Sequence, residues 1–426
     1  MTISSKTHTS KRMVKACFVF LVSILCTGLY AQAPAFPGAS GWAAGTPGGR
    51  GGKILKVTSL EAEGEGTFLE AIKTKGKRII VFEVGGIIDL KGKTVVIDEP
   101  FLTIAGQTAP SPGITFIDGG MSIKTHDIIC RHIRIRTGAS RHQTGWEPDG
   151  MSTVSAKNVI IDQCSFTWAV DENCSASGPR FNGDNPEQWR SNTSNNITIS
   201  NNIIAEGLSQ STHPKGEHSK GTLIHDNATN ILILKNLFAS NVERNVLFKG
   251  GARGIQANNY IHNPGKRAIQ YALSAREWED RPFETGKLTI IGNSLQLGPS
   301  SAEMPLILIG NGPCEVYMDD NLAFDSQGKP ASLFAGDSKK LVKQKPIWID
   351  NMDLIPASRV KDSVLQNAGA RPWDRDYHDQ RIIDSVKNGT AKIINSENEV
   401  GGYPVVKPTY RKFDKKQWNL DDMTEK

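Results

Sequence analysis

The chain has 426 residues, of which 38% are hydrophobic and 22% are charged, and this balance excludes a disordered or fibrous chain. Glycine is abundant with 41 residues, whereas aromatic residues make up only 7%, a mixture more typical of many tight turns than of a helical bundle. The formal net charge of +6 includes four basic residues and no acid within residues 1–33. The remainder is therefore close to neutral and lacks the dense basic surface of a nucleic-acid-binding protein.

Residues 1–33 have the pattern of an export signal. Three basic residues within Lys11–Lys15 precede an uncharged stretch of 16 residues, Ala16–Ala31, and the small-residue motif Ala31-Gln32-Ala33 fits a cleavage site. The stretch is shorter than the roughly 20 residues that span a bilayer, so a membrane anchor is the weaker alternative. We expect a signal peptide over residues 1–33, a secreted or periplasmic mature protein, and no membrane association after cleavage.

Four cysteines lie beyond this segment, namely Cys130, Cys164, Cys174 and Cys314. Export permits disulfides, but so few cysteines in so long a chain do not form a disulfide framework. Their spacing with histidines does not match a zinc site. We expect them to be small buried side chains.

A repeated segment extends through the middle of the chain. Each copy begins with a polar residue and continues as an alternating apolar run, and five copies carry an asparagine six places after their start, at Asn202, Asn236, Asn259, Asn293 and Asn321. Alternation predicts strands, and recurrence of one strand-and-turn unit predicts a solenoid. We therefore expect an all-β parallel β-helix in which the asparagines form an internal hydrogen-bonded ladder. A β-sandwich with asparagine-rich turns is the alternative.

The repeat spacing varies because loops are inserted between the strands. The largest insertions lie near residues 178–195 and 206–219, and such loops commonly form the binding face of a solenoid. After about residue 340 the asparagine phase is lost, and residues 374–388 predict one short helix that ends at Gly389. The predicted organisation is a signal peptide over 1–33, a parallel β-helix catalytic domain over 34–345, and a C-terminal extension over 346–426 that packs along the solenoid.

Charged residues open four consecutive strands of the repeat, at Asp149, Asp171, Lys220 and Arg244. In a parallel stack these positions would lie above one another, with the acids at one end and the cations at the other, over roughly 15 Å. Solvated surface charges are the alternative interpretation.

The acids suit a hard cation. Asp149, Asp171 and Glu172 offer oxygen ligands without histidine or cysteine, a set that favours calcium over zinc or copper, and Asp162 is a further candidate. The cations Lys220, Arg244 and Lys249 would then face a polyanion beside that metal.

In this order the motifs resemble those of the pectate lyases of polysaccharide lyase family 1. The matching segments are Asp149-Gly150-Met151, Val159–Gln163, Asp171-Glu172, Lys220–Leu223 and Arg244–Gly250. The glycine-rich opening and the tail around residues 372–405 are also similar, so the resemblance covers about residues 34–405. It implies a right-handed, single-stranded parallel β-helix.

The resemblance also implies an activity, namely calcium-assisted β-elimination of α-1,4-linked polygalacturonate or pectin that yields 4,5-unsaturated oligogalacturonides. It assigns Arg244 as the base, and Lys220 and Lys249 as ligands of the substrate carboxylates. Ca²⁺ is the implied cofactor, and whether Asp171, Glu172 or Ser175 contacts it beside Asp149 stays open. We expect a monomer that acts on an acidic polysaccharide and not on nucleic acid.

Two alternatives concern the chemistry. Arginine normally stays protonated, so Arg244 acts as the base only if calcium, Lys220 or other cations beside it disfavour its charge. Otherwise Arg244 only stabilises charge and another group takes the proton. A histidine is a rival base, and His213 and His218 precede Lys220 while His142 precedes Asp149. The function itself has two rivals. One is a polygalacturonase-type hydrolase with paired carboxylic acids, supplied by Asp149, Asp162 and Asp171, and the other is a non-catalytic β-helix that binds glycans.

Overall fold

Three parallel β-sheets wind around one continuous core in the computed structural model, which describes residues 1–4 and 33–426. Almost all of the predicted signal peptide lies outside the described residues. Pro34–Lys426 forms one unit. Among the described residues no helix combines the length and the apolar character that crossing a membrane requires.

The first sheet has ten parallel strands, each stacked on the equivalent strand of the preceding coil. Its middle strands keep an unbroken register, in which Ile197 pairs with Val159 on one side and with Ile231 on the other. The strands are Lys53–Val57, Arg78–Phe82, Leu102–Ala105, His126–Arg131, Lys157–Asp162, Asn195–Ser200, Thr229–Leu234, Arg253–Ala257, Gly286–Ile291 and Cys314–Asp319.

The second and third sheets share two long strands, Val84–Ile97 and Ile114–Ile123, whose first and second halves pair in different sheets. The second sheet continues with Ile133–Arg136, Ser165–Thr167, Ile203–Ala205, Leu237–Ala239, Tyr260–His262, Ser294–Gln296 and Leu322–Phe324. The third sheet continues with Met151–Val154, Glu172–Ser177, Lys220–Ile224, Leu247–Lys249, Ile269–Ala272, Ile307–Ile309 and Phe334–Gly336. This stack of parallel strands confirms the β-helix and excludes the sandwich.

The predicted asparagine ladder occupies the turn from the first to the second sheet. The side-chain amide of Asn202 donates to the Oδ1 atom of Asn236 at 3.0 Å, Asn236 donates to Asn259 at 2.9 Å, and Asn259 donates to Asn293 at 3.0 Å. Each Oδ1 also accepts the backbone N–H of the preceding asparagine. The ladder thus satisfies polar groups that the stack buries.

The C-terminal extension covers the outer face of the second sheet. Its helices, Ala357–Asn367 and Tyr377–Lys387, pack Val364 and Ile383 against strand residues such as Leu237. The sequence predicted only the second helix, which lies within the expected range 374–388. Burial of the outward apolar residues of this sheet explains why the extension follows the solenoid.

Shorter elements complete the molecule. The remaining α-helices are Phe68–Ile72, Pro186–Asn192 and Ala275–Trp278, and the 3₁₀ helices are Gly106–Thr108, Ser338–Lys340, Glu397–Val400 and Lys415–Gln417. Thr409–Tyr410 pairs antiparallel with the strand Val84–Ile97, and Trp418–Asn419 forms a hairpin with Thr424–Glu425. The four cysteines beyond residue 33 are free and buried, as expected.

Candidate active site

The outer face of the third sheet forms the floor of the site. Cys174, Ile224 and Phe248 point into the core, so alternation directs their strand neighbours outward. The parallel register stacks two of these neighbours, Ser175 and Leu223, on adjacent coils. A chain laid across the coils would therefore run along this row.

Loops border this floor at both ends of its strands. The loop 206–219 enters the third sheet beside the loop 137–150, and the two are joined where the Thr212 hydroxyl donates to the Trp146 carbonyl at 2.6 Å. At the other end, the loops 178–194 and 273–285 pack through aromatic rings, with Trp189 and Trp278 at 6.4 Å between centroids. Both predicted insertions therefore flank the same sheet face.

The sequence predicted that Asp171, Lys220 and Arg244 lie above one another, but the strand register of the structure is shifted by one residue. Glu172, not Asp171, pairs with Lys220, and the residue bridged to Lys220 on the next coil is Glu243, not Arg244. Arg244 has a left-handed backbone with a φ of 61°, so it leaves the regular strand position. Its guanidinium nevertheless reaches the acids, because its Nη1 atom contacts a carboxylate oxygen of Glu172.

Three carboxylates converge at the entry to these strands. One oxygen from each of Asp149, Asp171 and Glu172 lies within 4.8 Å of the others. The Ser175 hydroxyl donates to Asp149 Oδ2 at 2.7 Å, and the Glu172 backbone N–H donates to Asp149 Oδ1 at 3.1 Å. Ser175 therefore orients Asp149 rather than completing the acidic cluster itself.

The environment gives these acids opposite protonation behaviour. Desolvation, followed by repulsion from Asp171, raises the pKa of Asp149 to about 7. Burial also acts to raise the pKa of Asp171, but the hydrogen bond and charge of His218, together with Arg244, outweigh it and lower that pKa. A cation placed among these oxygens would displace the Asp149 proton, so the cluster fits a cation chemically.

The pKa of Arg244 is lowered in the same environment. Burial of its side chain is the largest cause, and it exceeds the attraction of Asp171 and Asp149, which would raise the pKa. Lys220 is not among the causes of this shift, and the charged groups that the structure places around Arg244 are mainly acids.

The two lysines predicted to bind substrate already contact internal carboxylates. The Lys220 ammonium lies 2.6 Å from Glu243 Oε1, and its side chain is only 7% exposed. The Lys249 ammonium contacts Glu277 and lies 3.5 Å from Asp226 Oδ2. Sequence reasoning missed these three acids because they carry no periodic signal.

Two of the three histidines proposed as rival bases lie at the site. His218 Nε2 is 2.8 Å from Asp171 Oδ1, and its ring stacks on His213 with centroids 3.5 Å apart. The Lys215 backbone N–H donates to His213 Nδ1 at 3.1 Å, so in the neutral ring His213 Nε2 carries the proton that faces Glu147 at 2.9 Å. Neither His213 Nε2 nor His218 Nδ1 makes a hydrogen bond with a described residue. The two rings and Asp171 form a second group whose ligand atoms lie within 4.8 Å of one another.

Two sequence candidates lie elsewhere. His142 is 2.5 Å from Asp118 and belongs to a separate cluster. Asp162 ends a strand of the first sheet, where it pairs with Arg131 at 3.0 Å and accepts from Ser200 at 2.8 Å. Asp162 was only a further candidate for the acidic cluster, and it lies outside that cluster because its strand belongs to a different sheet.

Curated relatives resemble the chain over most of its length. A probable pectate lyase C of Aspergillus oryzae is 38% identical over 381 residues, which is 86% of this chain and 81% of the relative. A probable pectate lyase C of Emericella nidulans is 31% identical over 380 residues, covering 86% and 80% of the two chains. No protein-family model matches the chain.

Solved structures share the fold at low sequence identity. The major allergen from cedar pollen superposes with a TM-score of 0.55 at 16% identity, covering 78% of this chain and 92% of the allergen. A pectate lyase bound to a hexasaccharide has a TM-score of 0.55 at 14% identity, covering 80% and 99%. These structures support the β-helix, and the curated relatives show that the chain belongs to the pectate lyase family of polysaccharide lyases.

Proposed function

We propose that this protein is a secreted or periplasmic pectate lyase that cleaves α-1,4-linked polygalacturonate by β-elimination. The observation that supports this most is the convergence of Asp149, Asp171 and Glu172 with Arg244 on one open face of the β-helix. The relatives named as pectate lyases supply the substrate class. The leader-like pattern of residues 1–33 supports export, and we expect the mature protein to act as a monomer.

The three carboxylates would hold Ca²⁺. Their oxygens suit a hard cation that takes six to eight oxygen ligands, with water and the substrate completing the set. His213 and His218 form a second possible ligand group with Asp171. When bound there, calcium would stabilise the negative charge that develops on the uronate carboxylate. The raised pKa of Asp149 also supports this site, since it comes first from desolvation and then from the charge of Asp171, and a bound cation would offset both.

Arg244 would serve as the base. Burial lowers its pKa, and neutralising the nearby carboxylates would remove the attraction that keeps it protonated. The C5 proton of the uronate would pass to Arg244, and the electron pair of that C–H bond would form the C4–C5 double bond. The bond from C4 to the glycosidic oxygen would break, and solvent would protonate the leaving oxygen.

Lys220 and Lys249 would bind substrate carboxylates. Each ammonium is held by an internal acid, so a uronate would have to share the lysine with Glu243 or replace Glu277. Because these lysines are already held by carboxylates in the free protein, they lose little conformational entropy when the substrate binds. This arrangement supports recognition of a regularly charged polymer rather than a neutral glycan.

The test is the product formed from polygalacturonate with and without a calcium chelator. A lyase makes an unsaturated sugar that absorbs in the ultraviolet, and we expect this absorbance to rise with calcium and to stop on chelation. Reducing ends that appear without absorbance and independently of calcium would instead indicate a hydrolase. Binding without any cleavage would indicate a glycan-binding protein, and highly methylated pectin compared in parallel would define the accepted substrate.

A further inference from the structure

A cavity of about 580 Å³ lies at the corner where the first sheet turns into the second. Its floor is formed by turn residues that include Gln163 and Lys235, and its walls come from the N-terminal segment 36–40 and the C-terminal segment 411–425. It shares no residue with the acidic cluster, which opens on the outer face of the third sheet. The cavity is therefore separate from the proposed catalytic site.

An exposed tryptophan stands at this cavity. Trp373 is 61% exposed, although large aromatic side chains are usually covered in a folded protein. Its ring is braced by His132, with centroids 5.1 Å apart, and by the Arg371 guanidinium, 5.4 Å from the ring centroid. A fixed aromatic surface with one polar edge suits the apolar face of a sugar ring.

Two buried amide oxygens in the cavity lack a hydrogen-bond partner. The Gln107 amide donates to the Met423 carbonyl and the Gln163 amide donates to the Asn367 carbonyl, both at 2.9 Å. In each case the Oε1 atom is buried without a partner. Both side chains line the cavity, so they add polar groups to its wall.

The cations of the cavity indicate the charge of its ligand. Arg411 donates to the Thr108 carbonyl at 3.0 Å, and no carboxylate among residues 1–4 and 33–426 comes within 4.0 Å of its guanidinium. Among the residues that the structure describes, Lys235 is paired with Asp353 alone, at 3.6 Å, and Asp353 is 95% exposed at its side chain. These two cations remain available to carboxylates, while Glu425 stands at the rim.

We propose that this cavity is a second, non-catalytic binding site for an acidic oligosaccharide. Trp373 stacks on a sugar ring, and Arg411 and Lys235 bind its carboxylates. The identity of the sugar as a galacturonate rests on the proposed function. A second contact with the same polymer would hold the enzyme on its substrate between cleavage events, since linked sites raise the overall affinity.

The experiment measures binding of saturated hexagalacturonate by calorimetry with a calcium chelator present, which suppresses the proposed cleavage. We expect Trp373→Ala and Arg411→Gln each to weaken binding about tenfold, because truncating a central aromatic or arginine anchor commonly has that effect. Tyr377→Ala is the matched control, since Tyr377 is 70% exposed but does not line this cavity, and we expect it to bind like the wild type.

Kinetics give the second measurement. Trp373→Ala should raise KM on polygalacturonate and leave kcat on a trimer unchanged. Wild-type affinity in both cavity variants would overturn the proposal, as would equal binding of a neutral galactan oligomer. Binding that depends on Trp373 in a protein without lyase activity would support this site while rejecting the proposed function, so the two outcomes are distinguishable.

Discussion

At Asp149 and Asp171 the same side chain acquires opposite acid–base behaviour within one cluster. Asp149 is desolvated and faces a like charge, whereas Asp171 is compensated by His218 and Arg244. Two carboxylates with divergent pKa values at one open face are a mark of a functional site. The register that places them together depends on single residues, since Glu172 and not Asp171 holds the regular strand position.

The raised pKa of Asp149 predicts how stability changes with pH. Because its pKa is about 7 in the folded protein and its ordinary value is 3.8, the folded state binds this proton more tightly than the unfolded chain between those values. The contribution of Asp149 to stability therefore falls as pH rises through that window. With a chelator present, we expect the Tm of the wild type to fall more steeply from pH 4 to pH 7 than the Tm of Asp149→Asn.

Asp184→Asn is the control for that measurement, because Asp184 is exposed and lies outside the acidic cluster. Its profile should follow the wild type. Parallel profiles for all three proteins would contradict the raised pKa of Asp149.

Arg244 carries the sharpest prediction about activity. Arg244→Ala should lower the cleavage rate on polygalacturonate by at least about 10²- to 10⁴-fold, the usual contribution of a positioned acid or base. The initial rate of ultraviolet absorbance increase measures this loss, and circular dichroism checks that the fold is retained. Arg359→Ala changes an exposed arginine on the helix Ala357–Asn367 and should keep full activity; full activity in Arg244→Ala would mean that the base lies elsewhere.

At the scale of the element, the asparagine ladder makes the turns of separate coils depend on one another. Asn236 accepts from the backbone and side chain of Asn202 and donates to Asn259 and to the Ile199 carbonyl. All of these groups are buried. An interior member therefore supports polar groups on both neighbouring coils, whereas Asn321 has an asparagine partner on only one side among the described coils.

Asn236→Ala should destabilise the protein by about 2–4 kcal/mol, because it leaves several buried donors and acceptors without partners. The midpoint of urea denaturation, monitored by circular dichroism, measures this change. Asn321→Ala at the ladder end should lower the midpoint less. Equal losses at the two positions would show that the hydrogen bonds of the ladder do not cooperate along the stack.

At the scale of the whole molecule, buried ion pairs fix the C-terminal extension to the second sheet. Arg134 and Arg136 are fully buried on that sheet, and their guanidinium groups lie 2.9 and 3.0 Å from Asp379, which is also fully buried. Asp376 adds a carboxylate at 2.7 Å from Arg136. Apolar packing and paired charge thus act together, so the extension forms part of the fold.

Asp379→Asn should destabilise the protein by about 3–5 kcal/mol, since removing one charge leaves buried arginines only partly compensated. Thermal and urea unfolding measure the loss. Asp384→Asn on the same helix changes an exposed residue and should have an effect within about 0.5 kcal/mol. Similar stability of the two variants would mean that apolar contacts alone hold the extension.

Periodic features were predictable from the sequence, and contacts between inserted loops were not. The asparagines recur in one phase, so their stacking followed from the repeat alone. Glu243 and Glu277 do not recur at a fixed place in the repeat. Glu243 follows a turn, and Glu277 lies on the inserted helix Ala275–Trp278. Their pairing with the predicted lysines depends on how loops of different length fold back onto the sheet.

The repeat itself determined that strands stack in parallel, because alternation and a recurrent turn residue admit few other packings. The charged residues of the repeat also predicted that the candidate site lies at the start of one group of stacked strands. The tertiary structure alone decided which side chains meet there, because a left-handed residue at Arg244 and a shift of one residue at Glu172 change the contacts without changing the pattern. It also placed Asp162 on another sheet and created the cavity at Trp373, since both depend on segments far apart in the chain.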